Sequence, residues 1–599
     1  MAIQQEAKQQ QTGGSFIVSD SKAEDIFISA SFSEEQRMMR EAMQDFVDQE
    51  IEPLADQIDS QKDLSLPPRL LEKTGELGFL GIGVPEAYGG IEMDFVTALS
   101  GSEVMGAAYS FSLTIGVQTS IGIAPILLYG NEAQKAKYLP QMITGERKSC
   151  YCLTEPDAGS DANSGKSKAI LTEDGKHYVL NGQKMWITNS GFADLFIVFA
   201  KIDEDKYLSA FIVEKEFGGI TLGEEEKKMG IKGSSTRQVF FSDVKVPVEN
   251  LLGERNGGFK IALNVLNTGR IKLAASALGI GRKTLKLATR YAKERKQFGQ
   301  PIAGFGAIQE KLARMATKIY ALDAALYRTG HAIDQTYTEM LAAGKSSTDA
   351  KFASIEAFAI ECALLKIFGS EAQGYIVDEG VQIYGGMGFS ADTPMDKLYR
   401  DARISRIFEG TNEINRMLSM DILLKKAMKG QIDLLSPVQA VQQELKELPE
   451  QENPYTDPLA DEKWALSRLK KAFLMLAGGA VQKLMHKLKE EQEILLRASD
   501  IMNQIYMLES ALLKTEQMMQ RKGEEACETE RKLCQLFLHE AVGVIEASGK
   551  EIIYAIGSEA EIPLLLAGLR RFTKVKPLNL KALRRDIAVG IVAEDGFGY

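Results

Sequence analysis

One block of β-type segments, set between two helical regions, most constrains the fold of this chain. From about residue 149 to 250 the sequence reads "HYVLNGQKMWITN", "LFIVFAKI", "LSAFIVEK" and "RQVFFSDVKVP", with turn residues between these runs. Short runs rich in β-branched and aromatic residues are typical of a compact antiparallel sheet. On both sides of the block apolar residues recur at helical spacing, and the first helix opens with a capping-box pattern at Ser33 and Gln36. The sequence therefore predicts an α+β fold, mainly α, with a central antiparallel β domain.

Several domains are expected because 599 residues exceed what one hydrophobic core usually holds. The proline-bearing stretch "LKELPEQENPYTDPLADEK" is typical of a linker, and the first thirty residues are polar. We predict six regions: a flexible segment (1–31), an N-terminal helical domain (32–148), the β domain (149–256), a four-helix-bundle domain (257–428), a linker (429–462) and an additional helical domain (463–599).

Charge and cysteine content exclude several functions. A net charge of -11 and a pI of about 5.3 argue against a nucleic-acid partner, because most of the surface would repel a phosphate backbone. The five cysteines are too scattered for a disulfide framework, and the C-x-C of Cys150 and Cys152 lacks the second pair of a metal site. No targeting peptide and no membrane-spanning segment are expected, so the predicted location is the cytoplasm.

A carboxylate is the expected base if the protein performs acid–base chemistry. None of the four histidines lies beside a serine, a cysteine or another histidine. In "RIFEGTNEI" (406–414), Glu409 follows Ile407 and Phe408, and a carboxylate in apolar surroundings is costly to bury without a partner or a function. Two interpretations stay open from these residues: an ion pair with Arg403 or Arg406, or a catalytic base.

Four other motifs each allow a ligand-binding and a purely structural interpretation. The loop "YCLTEPDAGSDANS" offers hydroxyl and N–H groups, or is a solvated connection. In "KMWITNSG", Trp186 and Thr188 suit a flat heterocycle, or the tryptophan fills a core. In "ERKQFG", Arg295 suits a phosphate, or ends a solvated helix. The glycines of "YGGMGF" permit close approach of a ligand, or form a turn.

Taken in order, "YCLTEPDAGSD", "KMWITN", "KKMGIKGSSTRQVFFSDVKVP", "RKQFG", "QIYGGMGF" and "RDARISRIFEGTNEI" resemble the acyl-CoA dehydrogenases. The resemblance runs from about residue 32 to 425, and the additional C-terminal helical region is similar to the very-long-chain branch, which includes a complex I assembly factor. It implies FAD-dependent α,β-dehydrogenation of long or very-long-chain acyl-CoA to trans-2-enoyl-CoA, the first step of fatty acid β-oxidation. It also implies an electron-transfer flavoprotein as acceptor and a homodimer. The alternatives are an acyl-CoA oxidase that uses oxygen and a scaffold that retains the fold.

The resemblance also implies residue roles. Glu409 is the expected base, and its backbone N–H polarises the thioester carbonyl. Some branches carry their glutamate at the position of Gly269, so only Glu409 can act as the base here. The implied FAD contacts are Tyr151, Leu153, Thr154, Ser160, Trp186, Ile187, Thr188, Thr411 and Glu413, with Arg295, Gln297, Phe298, Gln382, Gly385 and Gly386 holding the FAD of a neighbouring subunit. The implied substrate contacts are Ser160, Asn267, Arg270 and Gly410, with no metal site; Asp157 and Glu413 depart from the usual family pattern.

A basic amphipathic segment, "KWALSRLKKAFLMLAGGAVQKLMHKLK" (463–489), begins the additional domain. Such a helix in an acidic protein suits the inner face of an anionic membrane, and very-long-chain relatives are peripheral membrane proteins. The alternative is a helix packed within this additional C-terminal domain or at a dimer interface. Gly478 and Gly479 favour that alternative because they weaken a continuous surface helix.

Overall fold

The structure, a computed structural model, describes residues 12–447 and 452–596. The N-terminal domain contains helices α1 (Glu34–Phe46), α2 (Ala55–Ser60), α3 (Leu66–Glu76), α4 (Phe95–Gly106), α5 (Phe111–Gly116), α6 (Ile123–Tyr129) and α7 (Glu132–Ile143). The predicted capping box is confirmed: Ser33 Oγ accepts the Gln36 N–H at 3.1 Å, and Gln36 Oε1 accepts the Ser33 N–H at 3.0 Å. The first helix therefore begins where its side chains satisfy its free N–H groups.

An eight-stranded sheet follows, with the strands β1 (Ser149–Cys152), β2 (Lys168–Leu171), β3 (His177–Thr188), β4 (Leu195–Ile202), β5 (Ser209–Glu214), β6 (Ile220–Leu222), β7 (Thr236–Pro247) and β8 (Leu251–Leu252). The strand order is β6-β7-β3-β2-β4-β5-β8, and β1 pairs with β4. Most pairs are antiparallel, as predicted, but β4 runs parallel to both β1 and β2. Strand β4 is buried along almost its whole length, which is why its sequence reads as a continuous apolar run.

The next domain is built on long helices: α8 (Gly258–Glu294), α9 (Gly306–Ala342), α10 (Ser347–Ala357), α11 (Ala359–Tyr384), α12 (Gly386–Phe389), α13 (Pro394–Ala402) and α14 (Asn412–Met428). A hairpin of β9 (Lys296–Gln297) and β10 (Gln300–Pro301) joins α8 to α9. A C-terminal part of the chain, called the extension below, contains α15 (Leu435–Glu444), α16 (Ala460–Leu484), α17 (Gln492–Lys522), α18 (Glu528–Ile556), α19 (Ile562–Phe572) and α20 (Leu580–Ala593). A single hydrophobic core joins the bundle to the extension, with Phe368 of α11 meeting Phe537 of α18 at 5.8 Å between ring centroids.

The N-terminal segment, residues 12–31, differs from the predicted flexible region. Its apolar side chains Phe16 and Ile28 are buried, and the Phe16 ring lies 4.7 Å from that of Tyr506 on α17. Gln517 Nε2 donates to the carbonyl oxygens of Ala23 and Ile26 at 2.7 and 2.9 Å. These anchors are isolated in short turns and show no periodic pattern, so only the folded extension reveals them. Residues 1–11 lie outside the described part of the chain.

The predicted linker also differs, because α15 lies within it. Val438 and Val441 of α15 are buried against α16. A Cβ atom on Gly478 would lie 2.7 Å from a Val438 methyl group, so this glycine lets the two helices approach. Residues 448–451, in the middle of the predicted linker, lie outside the described residues.

Helix α16 follows the packed alternative for the basic segment. Its side chains Leu469 and Phe473 are buried in the core. Lys470 Nζ, also buried, lies 2.6 Å from Glu509 Oε1 of α17, and Lys471 pairs with Glu444 at 2.8 Å. The apolar face and these two charges of the helix are thus satisfied within the protein.

One stretch has the length and composition that a membrane-spanning helix needs, although the sequence analysis expects no such segment. Phe111–Tyr129, within the described residues, is apolar and long enough by composition. In its most apolar window 61% of the residues are buried, and Phe111 and Ile126 lie in hydrophobic cores of the N-terminal and β domains. It is a core element of this fold.

Candidate active site

The site is organised by a turn in which two consecutive residues have left-handed backbone conformations. Glu409 has a φ of 60° and Gly410 a φ of 79°. A non-glycine residue with positive φ is strained and persists only where its surroundings hold it. The Glu409 carbonyl accepts a hydrogen bond from Arg270 Nε at 3.2 Å, and the Gly410 carbonyl accepts one from Asn415 Nδ2 at 2.8 Å. Thr411 then caps α14 through its hydroxyl, which accepts the Ile414 N–H at 3.2 Å.

The Glu409 carboxylate points into the protein and has no partner among the described residues. Its Oε2 atom is buried and forms no hydrogen bond there, although the residue as a whole is half-buried. The carboxylate lies against Gly269 of α8, where a Cβ atom would come within 2.6 Å of Oε2. Arg403 and Arg406 are exposed, and neither forms an ion pair with it. The ion-pair interpretation of Glu409 is therefore wrong.

Burial and two cations set the proton affinity of this carboxyl. Burial raises the pKa of Glu409 to about 7, against the opposing influence of Arg270 and then of Lys366. A carboxyl with this pKa is half ionised near neutral pH, which suits a general base.

Helix α8 supplies two of the predicted substrate contacts. Arg270 is 2% exposed, and its Nη1 donates to Asn267 Oδ1 at 2.7 Å, one helical turn away. Burial lowers the pKa of Arg270, while Glu409 raises it. Asn267, Arg270, Glu409 and Gly410 are thus brought together, whereas Ser160 lies exposed on the loop after β1.

Helix α11 contributes a residue that the sequence analysis missed. Lys366 is completely buried, and its Nζ donates to the Gly410 carbonyl and to Asn412 Oδ1, both at 2.7 Å. Burial lowers its pKa to about 7, and Glu409 opposes that shift. The available signal was one lysine inside the apolar run "CALLKIFG". Such a charge is kept in a core only with partners.

A buried hydroxyl without a partner lies near the carboxylate. The Tyr151 OH on β1 forms no hydrogen bond within the described residues, and its ring packs 5.0 Å from that of Phe199. Burial, followed by the charge of Glu409, raises the pKa of Tyr151. A buried polar group of this kind has a binding capacity that a ligand can use.

The β domain exposes the aromatic side chain of Trp186 on strand β3. Trp186 is 60% exposed, so the interpretation as a core side chain is wrong. The pairing of β3 with β7 is interrupted between Lys184 and Ile187, and Trp186 has a φ of 55°, so this bulge turns the indole outward. Ile187 is buried and Thr188 half-buried beside it, and the Thr154 carbonyl accepts the Met185 N–H at 2.9 Å.

A buried ion pair holds the loop after β1 against the strand that carries Trp186. Lys184 Nζ lies 2.6 Å from Glu155 Oε1 and donates to the Phe199 carbonyl at 2.7 Å and the Leu153 carbonyl at 3.3 Å. Both charged side chains are buried. The loop that carries Leu153 and Thr154 is therefore anchored beneath the strand that carries Trp186. Asp157, one of the departures from the family pattern, forms an exposed pair with Lys166 at 2.7 Å.

The remaining predicted FAD contacts lie on exposed turns. Phe298 is 93% exposed at the tip of the β9–β10 hairpin, beside exposed Arg295 and Gln297. Gln382, Gly385 and Gly386 are exposed at the end of α11, and within the described part of the chain no atom beyond the immediate chain neighbours lies within 4 Å of a Cβ position on either glycine. Glu413 is exposed in the first turn of α14, where a hydrogen bond to its own backbone N–H lowers its pKa. Since α8 rises about 1.5 Å per residue, roughly 40 Å of helix separates Gly269 from Arg295.

Comparison with family models gives the class of the protein. The models described as "Acyl-CoA dehydrogenase, N-terminal domain", "middle domain" and "C-terminal domain" match residues 33–146, 150–244 and 256–424, and a second C-terminal model matches 468–571. The fold and the site define an FAD-dependent oxidoreductase. The chain belongs to the acyl-CoA dehydrogenase family, which confirms the resemblance seen in its motifs and the predicted fold class.

Three relatives illustrate the similarity. A probable acyl-CoA dehydrogenase of Bacillus subtilis (strain 168) is 44% identical over 581 residues, 97% of each chain. The crystal structure of an acyl-CoA dehydrogenase complexed with FAD from Bacillus anthracis superposes with a TM-score of 0.94 at 44% identity, covering 98% of this chain and 100% of that one. The very long-chain specific acyl-CoA dehydrogenase of Rattus norvegicus mitochondria is 44% identical over 356 residues, 58% of this chain and 52% of that protein.

The residues present fit the FAD that the family uses. The outward-facing Trp186 offers a flat surface for a ring, and the unpaired Tyr151 hydroxyl offers a polar contact. Gly385 and Gly386 leave open space where a side chain would otherwise obstruct a ligand.

Proposed function

We propose that this enzyme converts long or very-long-chain acyl-CoA to trans-2-enoyl-CoA, with Glu409 as the base. The observation that carries the proposal is the buried, unpaired Oε2 atom of Glu409, lying against Gly269. The α-hydrogen of a thioester is a very weak acid, so its base must be dehydrated and aimed. Burial has given Glu409 a pKa of about 7, high enough to accept a proton and low enough to be ionised at neutral pH.

Glu409 also supports the reaction through its backbone. Its N–H group donates to no acceptor among the described residues, so it is free to bind the thioester carbonyl oxygen. The carbonyl acquires negative charge as the α-proton leaves, and an N–H donor held in place by the strained turn stabilises that charge. Bound FAD supplies the acceptor for the β-hydride.

Replacing Glu409 with glutamine tests the base. The anaerobic enzyme should lose bleaching of its flavin by a long-chain acyl-CoA yet retain FAD, because glutamine keeps the shape and removes the proton acceptor. Glu173→Gln, in the exposed turn between β2 and β3, is the matched control and should bleach normally. Retained turnover in Glu409→Gln would falsify the assignment.

The chain length and the electron acceptor are part of the proposal. Similarity to very-long-chain enzymes over 58% of the chain, together with the helical extension, supports long substrates. A series of acyl-CoAs of increasing length should bleach the flavin most rapidly at the long end. An electron-transfer flavoprotein is the proposed acceptor, and hydrogen peroxide formation at the same rate without it would instead indicate an oxidase.

A second copy of the chain is proposed to complete the FAD site. Phe298 and the glycines 385 and 386 are exposed, and about 40 Å of helix separates Arg295 from Gly269, so one subunit does not gather all the predicted contacts. Sedimentation of the FAD-loaded protein should give a dimer. A monomer that retains FAD and full activity would contradict this arrangement.

A further inference from the structure

The chemistry derived above leaves Lys366 without a function. Its side chain is completely buried on α11. Burying an ammonium group costs several kcal/mol unless its donors are satisfied. The Lys366 Nζ meets that need at the Gly410 carbonyl and at Asn412 Oδ1, both at 2.7 Å. The lysine is therefore joined directly to the backbone turn that carries Glu409.

Both acceptors are themselves held in place. Asn412 Oδ1 also accepts from Ser370 Oγ at 3.2 Å, and Asn412 Nδ2 donates to Glu371 Oε1 at 3.0 Å. The Gly410 carbonyl is held from a second side by Asn415 Nδ2 at 2.8 Å. The Gly410 carbonyl oxygen therefore accepts hydrogen bonds from two helices, α11 through Lys366 and α14 through Asn415.

These two hydrogen bonds to the Gly410 carbonyl oppose the relaxation of the strained turn. Left-handed residues such as Glu409 cost about 1–3 kcal/mol each and persist only when neighbouring contacts hold them. If the Gly410 carbonyl were released, the peptide after Glu409 could rotate and carry the carboxylate away from Gly269.

We propose that Lys366 is a positioning residue: it holds the Glu409–Gly410 turn in its left-handed conformation and so keeps the Glu409 carboxylate against Gly269. This inference rests on the proposed role of Glu409.

The charged and titratable groups around the pair come from four elements. Facing Glu409 are Arg270 of α8, Lys366 of α11 and Tyr151 of β1, and facing Lys366 are Glu409, Arg270, Glu371 and Glu413. The Lys366 cation acts to lower the pKa of Glu409. Its removal should raise that pKa and move the acid limb of the rate profile to higher pH.

Lys366→Met tests the positioning role, since methionine has a comparable length but no charge and no donor. In the FAD-loaded enzyme we expect kcat to fall at least about tenfold while KM for a long-chain acyl-CoA changes by less than about threefold, because a misaimed base affects chemistry more than binding. The midpoint of the acid limb should rise, while FAD content stays normal. Wild-type kcat with an unmoved midpoint would overturn the inference.

Lys470→Met is the matched control. Lys470 is also a buried lysine on a helix, but its Nζ pairs with Glu509 of α17 and with Asp20 of the N-terminal segment. We expect this variant to lose stability without a change in kcat or in the pH midpoint. An equal shift in both variants would assign the effect to the general loss of a buried ammonium and overturn the positioning role.

Lys366→Arg carries the test if the methionine variant yields no folded protein. Its planar fork keeps the charge but cannot place one donor at the same two oxygens, so we expect a lower kcat and an unmoved pH midpoint. A wild-type kcat, or a raised midpoint, would contradict the inference. Failure of the base assignment can be distinguished from failure of this inference. If Glu409→Gln retains turnover, the assignment of Glu409 as the base is wrong. If Glu409→Gln is inactive but Lys366→Met is fully active, only the role of Lys366 is refuted.

Discussion

Substituting alanine for Gly269 tests whether the space in front of Glu409 must stay empty. The added Cβ atom would lie 2.6 Å from Oε2, 2.8 Å from the carboxyl carbon and 3.1 Å from Oε1. Ordinary van der Waals contact needs about 3.5 Å, so the carboxylate must retreat by roughly 1 Å. The neighbouring Arg270 and the strained turn limit how the rest of Glu409 can follow.

The expected loss is about 100-fold in kcat, since a 1 Å displacement of a reacting group costs that much. Stability should not fall with activity. Gly269 lies inside α8, and alanine in a helix interior is favoured over glycine by about 0.5–1 kcal/mol. An inactive enzyme that is as stable as the wild type is therefore predicted.

The assay is single-turnover flavin bleaching by a long-chain acyl-CoA, beside FAD content and thermal unfolding. Gly281→Ala, on the same helix, is the control: its Cβ atom would meet the flexible tip of Ile376 at 3.2 Å and the Ile319 side chain at 3.5 Å, and kcat should be unchanged. The reasoning is refuted if Gly269→Ala bleaches at the wild-type rate, or if it is inactive only because it has lost FAD or unfolded.

Three further predictions follow from buried charges. The kcat/KM should rise with pH through about 7 and then level off, because Glu409 must be ionised; an acid limb near pH 4.5 would contradict its burial. Since that pKa is raised above its unfolded value of 4.5, the stabilisation it gives is complete below pH 4.5 and lost as pH rises through 7. The difference in thermal stability between Glu409→Gln and the wild type should therefore shift in favour of the variant when the pH is raised from 5.5 to 8. An equal difference at both pH values would argue against the raised pKa of Glu409. Lys184→Met should destabilise the enzyme by about 3–5 kcal/mol by leaving Glu155 buried without its cation, whereas the exposed Lys168→Met should cost under about 1 kcal/mol in the same denaturant titrations.

Local patterns were sufficient to locate the helical regions and the sheet, but not every strand pairing and helix. The change from helical to alternating periodicity near Cys150 located the sheet, and Ser33 with Gln36 located the start of the first helix. The parallel pairing of β4 with β1 and β2 was not predictable, because it depends on how the chain crosses the sheet and leaves no mark on any one strand. Nor was α15 predicted, since its few buried residues make sense only against α16.

The candidate site shows the same division. The sequence pointed to Glu409, Arg270 and Trp186 because each lies in a motif that is continuous in sequence. Lys366 was missed because its acceptors lie more than forty residues away, and nothing in "CALLKIFG" indicates that a turn will pass beside it. The contact of Gly269 with the carboxylate likewise joins α8 to a turn 140 residues later. Chemistry that depends on such distant pairs is visible only in three dimensions.

The N-terminal segment has a consequence for how the protein is made. Its carbonyls at Ala23 and Ile26 are bound by Gln517, which is separated from them by 494 and 491 residues. At about 5–20 residues per second, roughly half a minute to a minute and a half of translation passes before that partner is synthesised. During this interval Phe16 and Ile28 have no finished core to enter, so the earliest part of the chain remains a target for chaperones and proteases until one of the last helices is complete.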